Sequence, residues 1–509
     1  MSYFLFLLYS SAKIDPIRLV SDYGVELYTP AFTSEHMNTV IALLLPHLSR
    51  WKSLSILTDC WAPMYTALTA INPFITRFGA PVLESLSLMR CNDLISFSPR
   101  FQPQHLKEPA FLKRGNNEMH PDIEWCPNML PSLKYLSLRG VHVDWDTLGH
   151  SLSTSETGLS LLELAWHSHD VRPSPDQFHK LLSTSSGLRS LILSASGPSI
   201  SEDVVHHDYA PAHLPRLRNI SVGYRTALEG RIALELIDAP NAKELALEDA
   251  TYAGDPDVIN AGSLLSYIGT RQIDDTHLNH RITTCELPET FGYQATLVTE
   301  KALNISCTHV NKDTESRIAF PLLESVTLRG VKTCLQPLRA FLDSLSNLRH
   351  LDLTRMSMQA VCALLPSIQT THGDCYTANV SHPGCPCPQL RSLCIRSCQG
   401  LDVQDVNFIV GGLAVERQNK GACQLREVDI HVDAAKMTCV PPRFRVESSP
   451  NMTVNIISDS SDEDEEDEDE DEDGYEDYED GQDVGLDPYE PGGAFNDPLF
   501  DAYYSSHLQ

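Results

Sequence analysis

Apolar and polar residues alternate in one short phrase that recurs along the chain. An apolar residue is followed by two variable positions, then by two apolar residues with one polar residue between them. In one copy the apolar positions are Leu133, Leu136 and Leu138, and Tyr135, Ser137 and Arg139 fall between or just after them. A two-residue period puts Leu136 and Leu138 on one face of a strand and Tyr135, Ser137 and Arg139 on the other. The phrase starts at residues 83, 133, 159, 188, 217, 242, 323, 348, 390 and 425, with a degenerate copy at Trp51. Successive copies lie 25 to 81 residues apart, and eight of the ten clear ones open with Pro or Gly. Between the strands the period changes. Leu338, Phe341, Leu342 and Leu345 follow helical spacing, as do Phe178, Leu181 and Leu182, and Val40, Leu43, Leu44 and Leu48.

Strand, helix, strand with short turns predicts an α/β leucine-rich-repeat solenoid, with parallel short strands, helical connections and irregular repeats. Several steps fall in the 20–29-residue window of such repeats, and the longer ones hold inserted loops. Each phrase offers only a short apolar ledge, so one repeat cannot be stable alone, and stacking joins the ledges into a core. The expected organisation is an N-terminal segment over 1–35, the solenoid over 36–445 and a tail over 446–509.

The repeat Leu390, Leu393, Ile395, Cys398, Leu401, Val406, Ile409 resembles the cysteine-containing repeat of F-box/leucine-rich-repeat proteins. Cys91 holds the same offset after Leu83, Leu86 and Leu88. The stretch from His36 to Ile56, and the irregular spacing, are similar to the large F-box-like family of mushroom-forming fungi. That resemblance implies a substrate-recognition subunit joined to a cullin ubiquitin ligase through a Skp1-type adaptor. No F-box-like segment is found ahead of His36, so the resemblance implies either a shortened N-terminus or a repeat scaffold used alone.

Charge divides the chain. The formal net charge is -30, from 38 Lys and Arg against 68 Asp and Glu. From Val446 onward there are 23 acids and no Lys or Arg, which leaves 45 acids against 38 bases in the rest. The body is mildly acidic, and attraction of the whole protein to nucleic acid or an anionic membrane is not expected. No apolar run reaches the ~20 residues of a spanning helix. The 14 cysteines are mostly scattered singly on apolar segments, which points to reduced thiols and a cytoplasmic or nuclear setting.

The candidate chemistry is thin. His372, Cys375, His382, Cys385, Cys387, Cys394 and Cys398 form the densest Cys/His cluster, but no pair of C-x-x-C knuckles appears, so a reduced loop without metal is expected. His167, Ser168, His169 and Asp170, and also His206, His207 and Asp208, read as polar turns after repeat strands. No nucleophile elbow, phosphate loop or dinucleotide fingerprint is present. The expectation is a non-catalytic interaction protein without a cofactor. Outward strand positions line the concave face of a solenoid, so Tyr135, Arg139, Arg329, His350, Asp352 and Arg396 are the candidate partner-binding residues.

The tail carries separate candidates. Asp462 to Asp473 is an unbroken acidic run, whose self-repulsion predicts disorder. Ser460 and Ser461 each precede an acid by three residues and resemble casein kinase 2 phosphorylation sites. Val454, Ile456 and Ile457, next to these serines and acids, resemble a SUMO-interacting motif that would add a strand to an exposed sheet edge. The alternative for this segment is the last strand of the solenoid. An acidic tail also suits capture of histones or other basic proteins, as in acidic nuclear leucine-rich proteins, which is the second functional reading. A third, a regulator of a small GTPase, expects a strict repeat period.

Overall fold

The computed structural model describes residues 33–58, 60–90, 100–113, 126, 128–153, 158–200, 210–251, 260–271, 318–365, 385–398, 406, 408–433 and 453–459. The acidic run, Ser460, Ser461, Cys91, His206, His207, Asp208, His372, Cys375 and His382 lie outside them.

Every copy of the phrase becomes a strand. The strands are β1 (Ser53–Thr58), β2 (Ser85–Arg90), β3 (Tyr135–Arg139), β4 (Leu161–Ala165), β5 (Ser190–Ser194), β6 (Ala212–His213) and β7 (Asn219–Tyr224). They continue as β8 (Ile237–Asp238), β9 (Glu244–Asp249), β10 (Ser325–Arg329), β11 (His350–Thr354), β12 (Ser392–Arg396), β13 (Glu427–Asp433) and β14 (Thr453–Asp459). All but β6 and β8 form one 12-stranded sheet in chain order, and β6 pairs with β8 alone. Neighbours are parallel and in register, for example Leu191 with Ile220 and Leu193 with Val222.

The register sets the core. One column of inward residues runs Leu54, Leu86, Leu136, Leu162, Leu191, Ile220, Leu245, Val326, Leu351, Leu393 and Val428, none more than 4% exposed. A second runs from Ile56 through Leu138 and Leu247 to Ile430, and the first residue of each phrase supplies a third. Burying one leucine contributes roughly 1.5–3 kcal/mol, whereas ordering each backbone residue costs roughly 1–2 kcal/mol. A five-residue strand with two inward leucines therefore cannot hold itself, and each rung depends on its neighbours.

Helices cover the core side. Helix α1 spans Ser34–Leu44, α2 Trp61–Phe78, α3 Trp145–Ser153, α4 Pro175–Ser183, α5 Ala227–Glu235, α6 Gly262–Thr270 and α7 Leu335–Ser344. Helix α4 shows why these segments turn helical. Ser174 accepts from the Gln177 amide at 3.2 Å, and the Gln177 side chain accepts from the Ser174 amide at 3.0 Å. Pro175 opens the helix, and Phe178, Leu181 and Leu182 are buried at the predicted spacing. Helix α1 departs from its predicted stripe. Its buried residues are Met37 and Ile41, followed by Leu48, while Leu43 is 71% exposed. The helix is rotated so that Met37 and Ile41 face the core, which turns Leu43 outward.

The sheet also runs past the expected end of the solenoid at residue 445. Strand β14 pairs with β13 over seven residues, from Glu427 with Thr453 to Asp433 with Asp459. Val454 packs against the core as a half-buried residue. Val454, Ile456 and Ile457 are thus part of the last described strand, whose backbone pairs with β13.

Residues leaving the strands turn through a left-handed backbone. Gly140, Trp166, Ala195, Gly330 and Arg355 all have φ between 49° and 63°. Each amide there donates to a carbonyl at the end of the next strand, as from Gly140 to Ala165 at 2.8 Å and from Gly330 to Thr354 at 2.8 Å, or one residue before the end for Ala195 to Gly223 at 2.9 Å. Only glycine adopts this conformation without strain. The bond to the neighbouring rung holds the other residues in it.

The core columns make a direct prediction. Leu247→Ala, in the middle of the sheet and fully buried, is expected to lower unfolding free energy by about 2–5 kcal/mol in urea titration. Ser221→Ala, outward on the adjacent strand, is expected to stay within about 0.5 kcal/mol. Equal effects at the two sites would contradict the assignment of faces.

Candidate interaction surface

The sheet face turned away from the core carries the outward residues of each phrase. Four of the sequence candidates lie on three adjacent strands. Arg329 on β10, His350 and Asp352 on β11 and Arg396 on β12 sit at successive rungs, with His350 level with Ser325 and Ser392. Rungs of a sheet are roughly 4.8 Å apart, so these side chains form one patch. Asp352 accepts from the Thr354 hydroxyl at 2.9 Å and faces Arg396 at 3.7 Å. Arg396 also donates to the Cys394 sulfur at 3.1 Å. Arg329 stands level with Glu248 and Thr354.

Tyr135 and Arg139 lie apart from that patch, on β3. Arg139 donates through Nε to Glu163 at 2.9 Å, and the Ser137 hydroxyl donates to the same carboxylate at 2.7 Å. Glu163 therefore holds Arg139 down on the sheet, whereas Tyr135 stays 49% exposed beside it. The outer face thus offers two mixed-charge areas separated by the strands from β4 to β9.

A second row of residues follows from the backbone. At the start of each strand, two consecutive amides donate to one carbonyl of the preceding repeat. Glu84 and Ser85 donate to the Lys52 carbonyl at 2.7 and 3.1 Å, and Lys134 and Tyr135 to that of Glu84 at 2.8 and 3.0 Å. The pattern continues through Ser160, Arg189, Arg218, Lys243, Glu324, Arg349 and Arg391 to Arg426, whose carbonyl accepts from the Thr453 amide at 2.8 Å. These residues form a straight column along the N-terminal ends of the strands. Eight of the eleven are Lys or Arg. Lys134 pairs with Glu84 at 3.2 Å, and Glu324 pairs with Lys243 at 2.6 Å and Arg349 at 3.5 Å. Among the described residues Lys52, Arg189, Arg218, Arg391 and Arg426 have no ion pair. The apolar pattern alone does not mark this row, yet its signal is present in the sequence. The row is the residue directly after the first apolar position of each phrase.

The opposite ends of the strands carry a buried polar seam. Trp61 stacks on His142 with ring centres 5.2 Å apart, and Phe101 meets both rings edge-on. Arg90 lies over Trp61 and Phe101 and donates to the Gln102 carbonyl at 2.9 Å. Asp170 accepts from the Phe101 amide at 2.8 Å and pairs with Lys107 at 2.8 Å. These contacts fasten residues 101–107 to the ends of β2, β3 and β4. Further along, Arg172 donates to Glu229 at 2.6 Å in a fully buried pair, and the same carboxylate accepts from the Gly197 and Arg225 amides.

His167 lies in this seam. It was expected in a polar turn, and it does follow β4, but it is 1% exposed. The left-handed turn at Trp166 directs it inward. Its Nε2 donates to the Val141 carbonyl at 2.9 Å, and Nδ1 accepts from the Ser196 hydroxyl at 3.0 Å. Burial depresses its pKa to about 3, and burial likewise depresses that of His142 to about 4, against the hydrogen bond it makes to the Lys107 carbonyl.

The cysteine-rich loop is also structural where it is described. Cys387 is buried and donates to the Leu342 carbonyl at 3.2 Å, and burial pushes its thiol pKa up. Arg417 donates to the carbonyls of Pro386 and Cys387, both at 2.7 Å. Cys398 packs on the core with its thiol toward the Leu353 carbonyl at 3.7 Å. Among the described residues no group of His, Cys, Asp or Glu is placed to hold a metal ion.

No family model matches the chain. No curated protein matches it. Among solved structures it is similar to the leucine-rich repeat-containing protein LegL7 from Legionella pneumophila, at 14% identity over 74% of this chain and 81% of that one, with a TM-score of 0.31. The chain's own sheet, register and core columns define it as a leucine-rich-repeat solenoid.

The seam predicts a pH response. Both histidines stay neutral in the folded state, while an unfolded histidine takes up a proton below about 6.5. Their contribution is therefore complete above that value and is lost as pH falls toward 4. The urea midpoint is expected to drop steeply between pH 6.5 and 4, at a cost of about 2 kcal/mol or more. His142→Phe, which keeps a ring against Trp61, is expected to flatten that slope. An unchanged slope in this variant would contradict the reading.

Proposed function

We propose that the chain is a non-catalytic recognition scaffold that holds a protein partner on the outer face of its repeat sheet. The observation that carries this reading is the patch of Arg329, His350, Asp352 and Arg396. Register fixes these four side chains at successive rungs of a rigid sheet, so their spacing is set before any partner arrives. Preorganised polar groups, with Arg among them, favour specific protein contacts. Tyr135, half-exposed on β3, is a second anchor of the kind that dominates interfaces.

The finer reading is a substrate-recruiting subunit of the F-box type. It is supported by the resemblance of the repeat at Leu390 to Ile409 and of the stretch from His36. In that reading the sheet face holds the protein to be ubiquitinated, and a Skp1-type adaptor joins the chain to the ligase.

Affinity capture with the full chain and with an Arg329→Ala, His350→Ala, Arg396→Ala variant tests the proposal. A defined set of proteins is expected with the wild type and is expected to fall at least tenfold with the variant, which should unfold at an unchanged urea concentration. A Skp1-type adaptor should be retained by both. Identical partner sets would contradict the role of the patch, and absence of the adaptor from both would contradict the ligase reading alone.

A further inference from the structure

We propose that the row of cations at the N-terminal ends of the strands is the docking track for an acidic segment of a partner protein, bound extended and carrying two acidic clusters about six residues apart. Eight of the eleven row positions are Lys or Arg and two are Glu, a net charge of +6 in a body that is itself mildly acidic. The row is built before a partner arrives. Its spacing is that of the backbone ladder, and its carbonyls already accept amides, so the side chains alone are left to meet a ligand. Lys52, Arg189, Arg218, Arg391 and Arg426 have no ion pair among the described residues. Arg216, exposed two residues ahead of Arg218, has none among them either. By contrast, three cations of the outer face already meet acids, as Arg139 with Glu163, Arg396 with Asp352 and Arg355 with Glu248. An anionic chain therefore gains more on the row than on the sheet face.

The acids within and beside the row decide which anion fits. Lys134 holds Glu84, and Lys243 and Arg349 hold Glu324. The free arginines are left in two stretches on either side of Glu324. Arg189 and Arg218 lead into the paired strands β5 and β7, and Arg391 and Arg426 into the paired strands β12 and β13. Rungs roughly 4.8 Å apart bring both members of a stretch within reach of one acidic cluster. From Arg218 to Arg391 is four rung intervals, roughly 19 Å, a span of about six extended residues. A polypeptide can set neutral residues against the Glu324 rung, whereas nucleic acid brings a charge at every step. None of the eleven row residues is aromatic, so the row lacks the stacking platforms on which single strands are held. Glu244 and Glu427, both exposed, directly follow Lys243 and Arg426 and repel the second file of phosphates that a duplex would bring. Single exposed ion pairs are weak and screened by salt. Several on one segment act together, because the first contact makes the rest intramolecular.

The test uses the full chain and a fluorescent peptide in which two triplets of Glu flank five Ser. At 50 mM salt the chain is expected to bind it at least tenfold more tightly than the same peptide with Gln for Glu, and 0.5 M salt should remove the difference. Placing the six Glu in one block should weaken binding at least threefold. A variant with Arg189→Gln, Arg218→Gln, Arg391→Gln and Arg426→Gln should lose at least tenfold in affinity while unfolding at an unchanged urea concentration. Glu324→Gln, which releases Lys243 and Arg349, should instead tighten binding at least twofold, a gain that misfolding does not produce. The Arg329→Ala, His350→Ala, Arg396→Ala variant should bind the peptide as the wild type does, so the outer-face reading and this one fail separately. Equal binding of the Glu and Gln peptides would overturn the proposal, as would equal binding of the spaced and block peptides. So would affinity that survives the four Arg changes, no gain in Glu324→Gln, or loss of the peptide in the outer-face variant. A single-stranded RNA of equal charge that binds more tightly than the peptide, and loses its binding with the four Arg changes, would overturn the assignment to a polypeptide.

Discussion

One carbonyl at the start of each rung accepts two amides from the next, and this bond repeats from Lys52 to Arg391. It fixes each strand against its predecessor at a single register. Because side chains alternate strictly along a strand, a slip of one residue would turn every inward leucine to solvent. The ladder therefore decides which residues form the core, which form the outer face and which form the row of cations. Left-handed turns repeat the control at the other end of many strands, where the departing amide is tied to a carbonyl at or next to the end of the following strand.

The same constraint explains why the repeats can be so irregular. What must be conserved in geometry is the short strand and its two ends, not the chain between them. Loop closure grows costly only slowly with length, so steps from 25 to 81 residues fit one sheet. The buried seam then secures part of the connecting chain. Residues 101–107 are held by Arg90, Trp61, His142 and Asp170, and the turn after β4 is held by the Arg172–Glu229 pair. A buried ion pair is a weak source of net stability, yet losing one partner leaves a costly charge. Its effect here is to fix loop position.

Much of this was legible in the sequence, and the failures have physical causes. The leucine phrase located eleven strands because its inward positions are nearly all Leu, Ile or Val. The phrase itself is broken ahead of β14, where Asn451 replaces the first apolar residue, so a last solenoid strand reads there only as the alternative to a SUMO-interacting motif. The two-residue strands β6 and β8 are too short to show a period. The expected stripe of α1 went wrong because Leu43 is apolar but exposed, whereas Met37 supplies the buried contact. Arg172 and Glu229 are 57 residues apart, and no local pattern announces such a pair. His167 looked like a surface turn because the sequence does not show the left-handed backbone at Trp166. The outer-face candidates followed from alternation alone, so the structure places them on that face. The row of cations was visible in the same phrases, but it gains meaning only when the ladder aligns it.

The central claim is that one continuous ladder unites the twelve strands of the main sheet, from β1 to β14 without β6 and β8. Amide hydrogen exchange read strand by strand tests it most directly. The account predicts strong protection for the strand amides in the middle rungs, β3 to β5, β7 and β9 to β12, declining toward β1 and β14, the outermost strands of the sheet among the described residues. The amide of Thr453 should be protected above that expected for a linker. Rapid exchange at Thr453, or an unprotected strand within the middle rungs, would contradict a single sheet.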